Sequence, residues 1–229
     1  MFQNDFDYSY DESILNSSIR KVFLWMILGL SLTIGTMFSV VMNPALANFV
    51  FKSFQILIIG ELVLVIALSA AIRKISAPVA GFMFLLYSFM TGLTLSFVMF
   101  LYDPMAIILA FSTTLVIFVV MAIFGYTTKE NLLGYGKMLF VGLISIVIVS
   151  VINIFLKSPT LYWIISYVSV VLFTALIGYD MQKIKRNLIQ NSFGDSETLS
   201  KISIMGALEL YLDFVNLFLN LLRIFGKKR

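Results

Sequence analysis

The sequence contains no cysteine and no histidine. These absences exclude disulfides, thiolate or imidazole metal sites, cysteine nucleophiles and serine–histidine catalysis. The functional groups that remain are carboxylates, amides and hydroxyls, whose oxygen atoms suit protons and hard cations such as Ca²⁺. We therefore look for function among the acidic and amide side chains, and we expect no bound cofactor.

Charge is also scarce. Only 12% of the 229 residues are charged and 60% are hydrophobic, whereas an average soluble domain is about one quarter charged. This composition predicts an integral membrane protein whose main partner is the lipid bilayer. The net charge of +4 is small and spread over short connections, so it suits anionic lipid surfaces and gives no indication of nucleic-acid binding.

Seven apolar runs of 19 to 23 residues follow an acidic start. Each run is long enough to cross about 30 Å of hydrocarbon as a helix. All four prolines fall between runs, where a missing N–H marks helix ends. We predict an all-α domain flanked by a mobile cytoplasmic tail over residues 1–21 and a basic tail over residues 225–229. The predicted spans are 22–42, 54–72, 79–101, 105–125, 138–156, 160–180 and 202–224, which leaves a loop of about 20 residues, 181–201, before the last span.

Basic residues at the ends of the spans predict the orientation. The connections on one side hold most of them, and those on the other side hold only Lys52 and Lys157. Because basic residues favour the cytoplasmic side, we predict a cytoplasmic amino terminus. Seven full crossings would place the basic carboxyl terminus outside, against this rule, yet we favour a full crossing by the last helix. The basic side comprises Arg20, Lys21, Arg73, Lys74, Lys129, Lys137, Lys183, Lys185, Arg186 and Lys201.

Two spans carry small residues in steps of four. They are Ser31, Gly35 and Ser39 in the first span, and Ser88, Gly92 and Ser96 in the third. Such rows let helix backbones approach closely in lipid, so we predict that both rows pack against neighbouring helices.

The last span carries a polar line along one face. Its five members lie within about 80° of one another around the helix, along roughly 21 Å of its length. A central carboxylate or guanidinium costs about 2.5 to 3.5 kcal/mol to insert without compensation. The line is therefore either satisfied by neighbouring helices or borders a hydrated path or ion site, and in both cases this helix belongs inside the bundle. Its members are Glu209, Asp213, Asn216, Asn220 and Arg223; Asn216 and Asn220 are candidates to line the path or bridge helices, and Arg223 to anchor the helix end.

Asp180 ends the sixth span, and Asp213 lies inside the seventh. Taken alone, Asp180 is a helix-end carboxylate that pairs with a nearby lysine. If the two helices fold side by side, Asp180 meets Asp213, and two carboxyl groups in a low dielectric share one proton. The pair is then a proton sensor or half of a Ca²⁺ site.

Glu61 lies centrally in the second span. It is either bonded to hydroxyl groups of neighbouring helices or a continuation of the acidic path. Arg73 and Lys74 end the same span, and either one is placed to pair with Asp180 at the same membrane level.

Two motifs resemble the Bax inhibitor motif family of transmembrane proteins, particularly its bacterial members. They are GYDMQKI at 178–184 and MGALELYLDFVNLFLNLLRIFG at 205–226, and TGLTLSFV at 91–98 resembles the family's third span. The resemblance implies a bacterial plasma membrane protein whose last helix is wrapped by the other six, acting as a pH-sensitive calcium leak.

The resemblance also implies roles for individual residues. Asp180 and Asp213 match the family's pH-sensing pair, and Arg73, or else Lys74, matches the basic residue that latches to one of them. Glu209 departs from the family, which usually has a small polar residue there, and an extra carboxylate strengthens cation binding.

The sequence is compatible with three functions. The leading hypothesis is a leak channel for Ca²⁺ gated by the aspartate pair. A modulator that binds other membrane proteins, such as a membrane protease or a regulator of stress or cell death, is the alternative. An intramembrane aspartyl protease also places Tyr-Asp on one helix and an aspartate on the next, but Asp213 stands in LYLDF and not in Gly-x-Gly-Asp, so we do not expect an enzyme.

Overall fold

A computed structural model describes residues 12–72 and 74–226. The predicted all-α architecture is confirmed, since these residues form seven α-helices and one short 3-10 helix, Leu132–Tyr135. All seven α-helices are long and apolar enough to cross a membrane. They are α1 (Glu12–Met42), α2 (Pro44–Ala71), α3 (Ala77–Leu101), α4 (Pro104–Thr127), α5 (Gly136–Leu156), α6 (Pro159–Gln190) and α7 (Ser196–Phe225).

The prolines mark helix starts, as predicted. Each stands in the first or second position of α2, α3, α4 or α6. Proline is favoured there because the first N–H groups of a helix have no partner within it. The residue before Pro44 completes the start of α2, since the Asn43 side chain accepts hydrogen bonds from the backbone N–H groups of Ala45 and Leu46. The gap predicted over residues 43–53 is therefore one residue, and Lys52 lies within α2.

The predicted amino-terminal tail is wrong from Glu12 onward, because α1 begins there. Leu15, Ser18 and Val22 are all buried, at spacings that place them on one helix face. The Ser203 hydroxyl of α7 donates to the backbone carbonyl of Ser18 at 3.3 Å, so this early turn is attached to the last helix. Residues 1–11 and the predicted tail residues 227–229 lie outside the described residues.

The predicted loop over residues 181–201 is also wrong, because α6 continues to Gln190 and α7 begins at Ser196. The apolar run does end near Asp180. An amphipathic pattern replaces it, and Met181, Ile184 and Leu188 bury one face of the extended helix. The connection that remains is residues 191–195.

The last helix lies at the centre of the bundle. In its most apolar window 67% of the residues are buried, against 11% for α2 and 6% for α5. It packs against α1, α3, α4 and α6, whereas α2 packs mainly on α3 and α5 on α6. The expected enclosure by six helices is therefore corrected to four, with α2 and α5 on the outside.

The two rows of small residues differ in burial. Ser88, Gly92 and Ser96 are buried, and a Cβ at Gly92 would meet Thr36 of α1, so this row packs as predicted. Ser31, Gly35 and Ser39 are exposed, and a Cβ at Gly35 would meet nothing within 4 Å. The prediction for α1 is wrong because its packed face is instead the one that carries Gly29, Thr33 and Thr36.

Candidate proton and cation site

A close contact fixes the register of α6 against α7. A Cβ at Gly206 would lie 2.9 Å from side-chain atoms of Ile184, so only glycine allows the two helices this approach. Both residues belong to the motifs that the sequence singles out. One to two turns beyond this crossing, the register brings Asp180 of α6 opposite Asp213 of α7.

Asp180 and Asp213 lie close enough for their carboxyl groups to interact electrostatically. Asp213 is only 5% exposed. Its Oδ2 has no donor among the residues that the structure describes. Two ionised carboxylates offer four acceptor oxygens and no donor, so a proton or a cation between them would supply what the pair lacks.

Lys183 adds a cation to this cluster. Its Nζ lies 2.6 Å from Oε1 of Glu209 and 3.7 Å from Oδ1 of Asp180. Both sequence interpretations of Asp180 therefore hold, because it contacts a lysine one turn along its own helix and an aspartate on the next. Sequence reasoning missed the pairing of Lys183 with Glu209, since the register between the helices is not visible in the chain.

The segment around Asp180 is held in place by contacts to α4 and to the chain that follows it. A Cβ at Gly125 of α4 would lie 2.9 Å from the Cα of Gly178, so the two helices touch backbone to backbone. The Gln182 side chain donates to the carbonyl of Glu130 at 2.8 Å and accepts from the N–H of Leu133 at 3.3 Å. The residues on either side of Asp180 therefore fix its position.

Glu61 lies apart from this cluster. It accepts a hydrogen bond of 3.0 Å from the hydroxyl of Thr94 on α3, which matches the interpretation of a carboxylate bonded to hydroxyl groups. Of the two candidates for the latch, Arg73 lies outside the described residues. Lys74 is exposed and has no ion pair within the described part of the chain.

The amides of α7 bond within their own helix. Asn216 donates to the carbonyl of Leu212 and Asn220 to that of Asn216, both at 2.8 Å. They do not bridge helices through these groups, although the buried Oδ1 of Asn220 has no donor among the described residues. The guanidinium of Arg223 lies 5.7 Å from the ring centre of Tyr162 near the start of α6, as fits a helix-end anchor.

These end contacts show that α7 runs antiparallel to α6 along its whole length. Glu209 meets Lys183 near one end, and Arg223 meets Tyr162 at the other. A Cβ at Gly226 would also meet Tyr102, which follows α3. The helix therefore does not turn back toward the side on which it begins.

A cavity of about 460 Å³ adjoins the carboxylate cluster. It lies between the end of α2, the last turns of α6 and the first turns of α7, and Glu209 is part of its lining. Its other polar lining residues are Asn187, Asn191, Thr198 and Lys201. Glu209 is thus the member of the cluster that this polar cavity reaches.

Within residues 12–72 and 74–226, no group of three or more carboxylates is arranged to hold a metal ion. Asp180 and Asp213 alone offer oxygen ligands of the kind that Ca²⁺ accepts, but Ca²⁺ usually takes six to eight. These two side chains therefore do not by themselves complete a Ca²⁺ site.

Seven apolar helices, with Asp213 buried among them and the partly buried Asp180 beside it, define an integral membrane protein with ionisable groups in its interior. Comparison with known proteins identifies its family. The model of the family described as "Inhibitor of apoptosis-promoting Bax1" matches residues 15–229, and the chain belongs to that family, which confirms the resemblance of its motifs.

Several bacterial proteins are similar over most of their length. The chain is 45% identical to inner membrane protein YbhL of Escherichia coli K12, over 94% of this chain and 93% of the relative. It is 38% identical to an uncharacterized protein of Borreliella burgdorferi, over 94% of each. An uncharacterized membrane protein of Streptococcus pyogenes serotype M1 is 41% identical over 73% of this chain and 71% of the relative.

Proposed function

We propose that this protein is a pH-sensitive leak channel for Ca²⁺ in which Asp180 and Asp213 form the gate. The observation that supports the proposal is the contact between two carboxyl groups on adjacent helices, with Asp213 almost fully buried. A pair of this kind binds one proton between its members, so its charge depends on pH. Because each aspartate belongs to a different helix, a change in that charge alters how α6 packs on α7.

The polar groups of α7 and the adjoining cavity supply a route to this gate. The cavity of about 460 Å³ reaches Glu209, and Glu209 and Asp213 lie one turn apart on α7. The buried and unpaired Oδ1 of Asn220 lies two turns further along the same helix. Carboxylate and amide oxygens are ligands that Ca²⁺ prefers, which makes Ca²⁺ the expected ion.

We further propose that the protein resides in a bacterial inner membrane with its amino terminus in the cytoplasm. The named Escherichia coli relative is an inner membrane protein, and the basic residues at the span ends favour this orientation. The carboxylate cluster then faces the cytoplasmic half of the membrane. Labelling of a single cysteine introduced at position 226 from each side of the membrane tests the orientation, since the proposal requires external access.

Reconstitution into liposomes tests the transport proposal. Purified protein is placed in vesicles that contain a Ca²⁺ indicator, and Ca²⁺ entry is compared with that of empty vesicles and of vesicles with Asp213→Asn. We expect the wild type to pass Ca²⁺ at a rate that changes with pH. Vesicles that stay as tight as the empty ones across the pH range would exclude the proposal.

A second candidate is a modulator that acts by binding another membrane protein. The family description names inhibition of a protein, and this wording favours the alternative. A stable partner that co-purifies from native membranes, together with no Ca²⁺ flux in liposomes, would support it. Flux in a system that contains only this protein would favour the channel.

A further inference from the structure

We propose that Lys183 is a built-in competitor for the transported cation, whose ammonium group occupies the carboxylate cluster and must be displaced before a divalent ion binds there. This inference deepens the proposed leak and rests on it. The sequence places Lys183 among the cytoplasmic basic residues, whereas the structure places its ammonium group between Glu209 and Asp180, at 2.6 and 3.7 Å.

The location of Lys183 is unusual for a lysine at a helix end. Its side chain is 36% exposed, and its partners Asp180 and Glu209 are 13% and 20% exposed. The neighbouring Lys185 points elsewhere, donating to the backbone carbonyl of Tyr126 at 2.8 Å. Two lysines on one helix therefore have different surroundings, and only Lys183 meets the cluster.

Within the described residues, the cluster is short of positive charge. One ammonium group there serves three carboxylates, Asp180, Glu209 and Asp213, and Oδ2 of the buried Asp213 has no donor. The Lys201 side chain, which also lines the adjoining cavity, is paired with Glu197 at 3.0 Å and does not compensate for the deficit. An unpaired acceptor beside two further carboxylates is a site for which a cation has affinity.

The ammonium group of Lys183 is bound most closely to the carboxylate that an entering ion would meet first. It holds Glu209 at 2.6 Å, and Glu209 is the carboxylate that the cavity of about 460 Å³ reaches. A divalent ion that enters from the cavity therefore meets Glu209 already bound to a cation. Displacing Lys183 frees Glu209 to contact the ion, and the three carboxylates must then rearrange to surround it, because as they stand in the described residues they are not arranged to hold a metal ion.

Equilibrium binding of Ca²⁺ to the purified full-length protein tests this role without measuring transport. We expect Lys183→Gln to bind Ca²⁺ about tenfold more tightly than the wild type, or better, because removing a positive charge within 4 Å of the ligands strengthens their attraction for a cation. Lys183→Arg keeps the charge and should bind as weakly as the wild type. Lys185→Gln makes the same change of charge on the same helix outside the cluster, and it should leave affinity unchanged.

Two results would overturn the inference: Lys183→Gln with the affinity of the wild type, or an equal gain in Lys185→Gln, which would show a general effect of charge. If Lys183→Gln does not fold, Lys183→Met replaces it with a side chain of similar length, and the same outcomes apply. Failure of the leak itself is distinguishable. In that case neither protein passes Ca²⁺ in liposomes, whereas the shift in binding between them still decides the role of Lys183.

Discussion

The contact between Gly125 and Gly178 predicts the cost of one added methyl group. In Gly125→Ala the new Cβ would meet the carbonyl oxygen of Gly178 first, and it would lie 2.9 Å from both the Cα and the carbonyl carbon of that residue. Carbon atoms in ordinary contact are about 3.5 to 4.0 Å apart, so α4 and α6 must separate by roughly 1 Å. The obstacle is backbone, and no change of rotamer relieves it.

Two opposing effects determine how much Gly125→Ala changes the free energy of unfolding. Overpacking a tight contact costs about 1 to 3 kcal/mol, and replacing glycine by alanine in a helix returns up to about 1 kcal/mol. Because the obstacle is backbone, the cost lies in the upper part of that range, about 2 to 3 kcal/mol, and the helix gain of about 1 kcal/mol leaves a net loss of about 1 to 2 kcal/mol in the free energy of unfolding of Gly125→Ala. The affected segment of α6 leads directly to Asp180, so the pH dependence of Ca²⁺ flux should change as well.

Unfolding by SDS in mixed micelles, followed by tryptophan fluorescence, measures this loss. The matched control is Gly35→Ala in α1, where an added Cβ meets nothing within 4 Å. We expect the control to be no less stable than the wild type. If Gly125→Ala and Gly35→Ala unfold at the same SDS fraction, the backbone contact does not hold α4 against α6 and the reasoning fails.

Two further predictions concern single hydrogen bonds. The hydroxyl groups of Tyr211 and Thr33 lie 2.6 Å apart, so Tyr211→Phe should lower the free energy of unfolding by about 0.6 to 1.7 kcal/mol in the same SDS assay; an unchanged midpoint would show that the bond adds no stability. At the exposed start of α7, Asp195 is hydrogen-bonded to Thr198. The bond to the Thr198 side chain lowers the pKa of the Asp195 carboxyl group most, and the bond to the Thr198 backbone lowers it further. The pKa of Asp195 is lower in the folded protein than in the unfolded chain. The stabilisation that the Asp195 side chain gives to the start of α7 is therefore fully present above the ordinary carboxyl pKa of about 3.9, and it is lost as pH falls through the pKa of the folded protein. Hydrogen exchange at the Thr198 amide, corrected for its intrinsic rate, should accelerate in that acid range in the wild type and not in Asp195→Asn, and equal acid acceleration in both would contradict this.

The number and centres of the helices follow from the sequence, because seven apolar runs of membrane-spanning length have no other stable arrangement in lipid. The residues at which the helices begin and end do not follow from the sequence. The apolar run of α6 stops near Asp180, while Met181, Ile184 and Leu188 continue one buried face beyond it. Hydropathy measures the affinity of a segment for lipid, so it does not detect helix that packs on protein outside the hydrocarbon.

Only part of the candidate site could likewise be predicted from the sequence. The meeting of Asp180 and Asp213 could be predicted, since consecutive antiparallel helices place residues near their connection side by side. The ion pair between Lys183 and Glu209 could not, because it depends on the register that Gly206 permits against Ile184.

The rows of small residues show a related limit. A step of four defines a helix face but does not say which neighbour, if any, that face meets. The buried Gly92 and the exposed Gly35 stand in equivalent patterns, and only the structure distinguishes them.

The central claim is that the proton shared by Asp180 and Asp213 controls Ca²⁺ passage. The pH profile of Ca²⁺ flux in liposomes, measured for the wild type and Asp213→Asn under identical loading, tests it most directly. Glu197→Gln, which removes an exposed carboxylate at the start of α7, is the control. We predict that flux changes steeply with pH in the wild type and in Glu197→Gln, and that this dependence is lost in Asp213→Asn. The same pH profile in all three proteins would contradict the account.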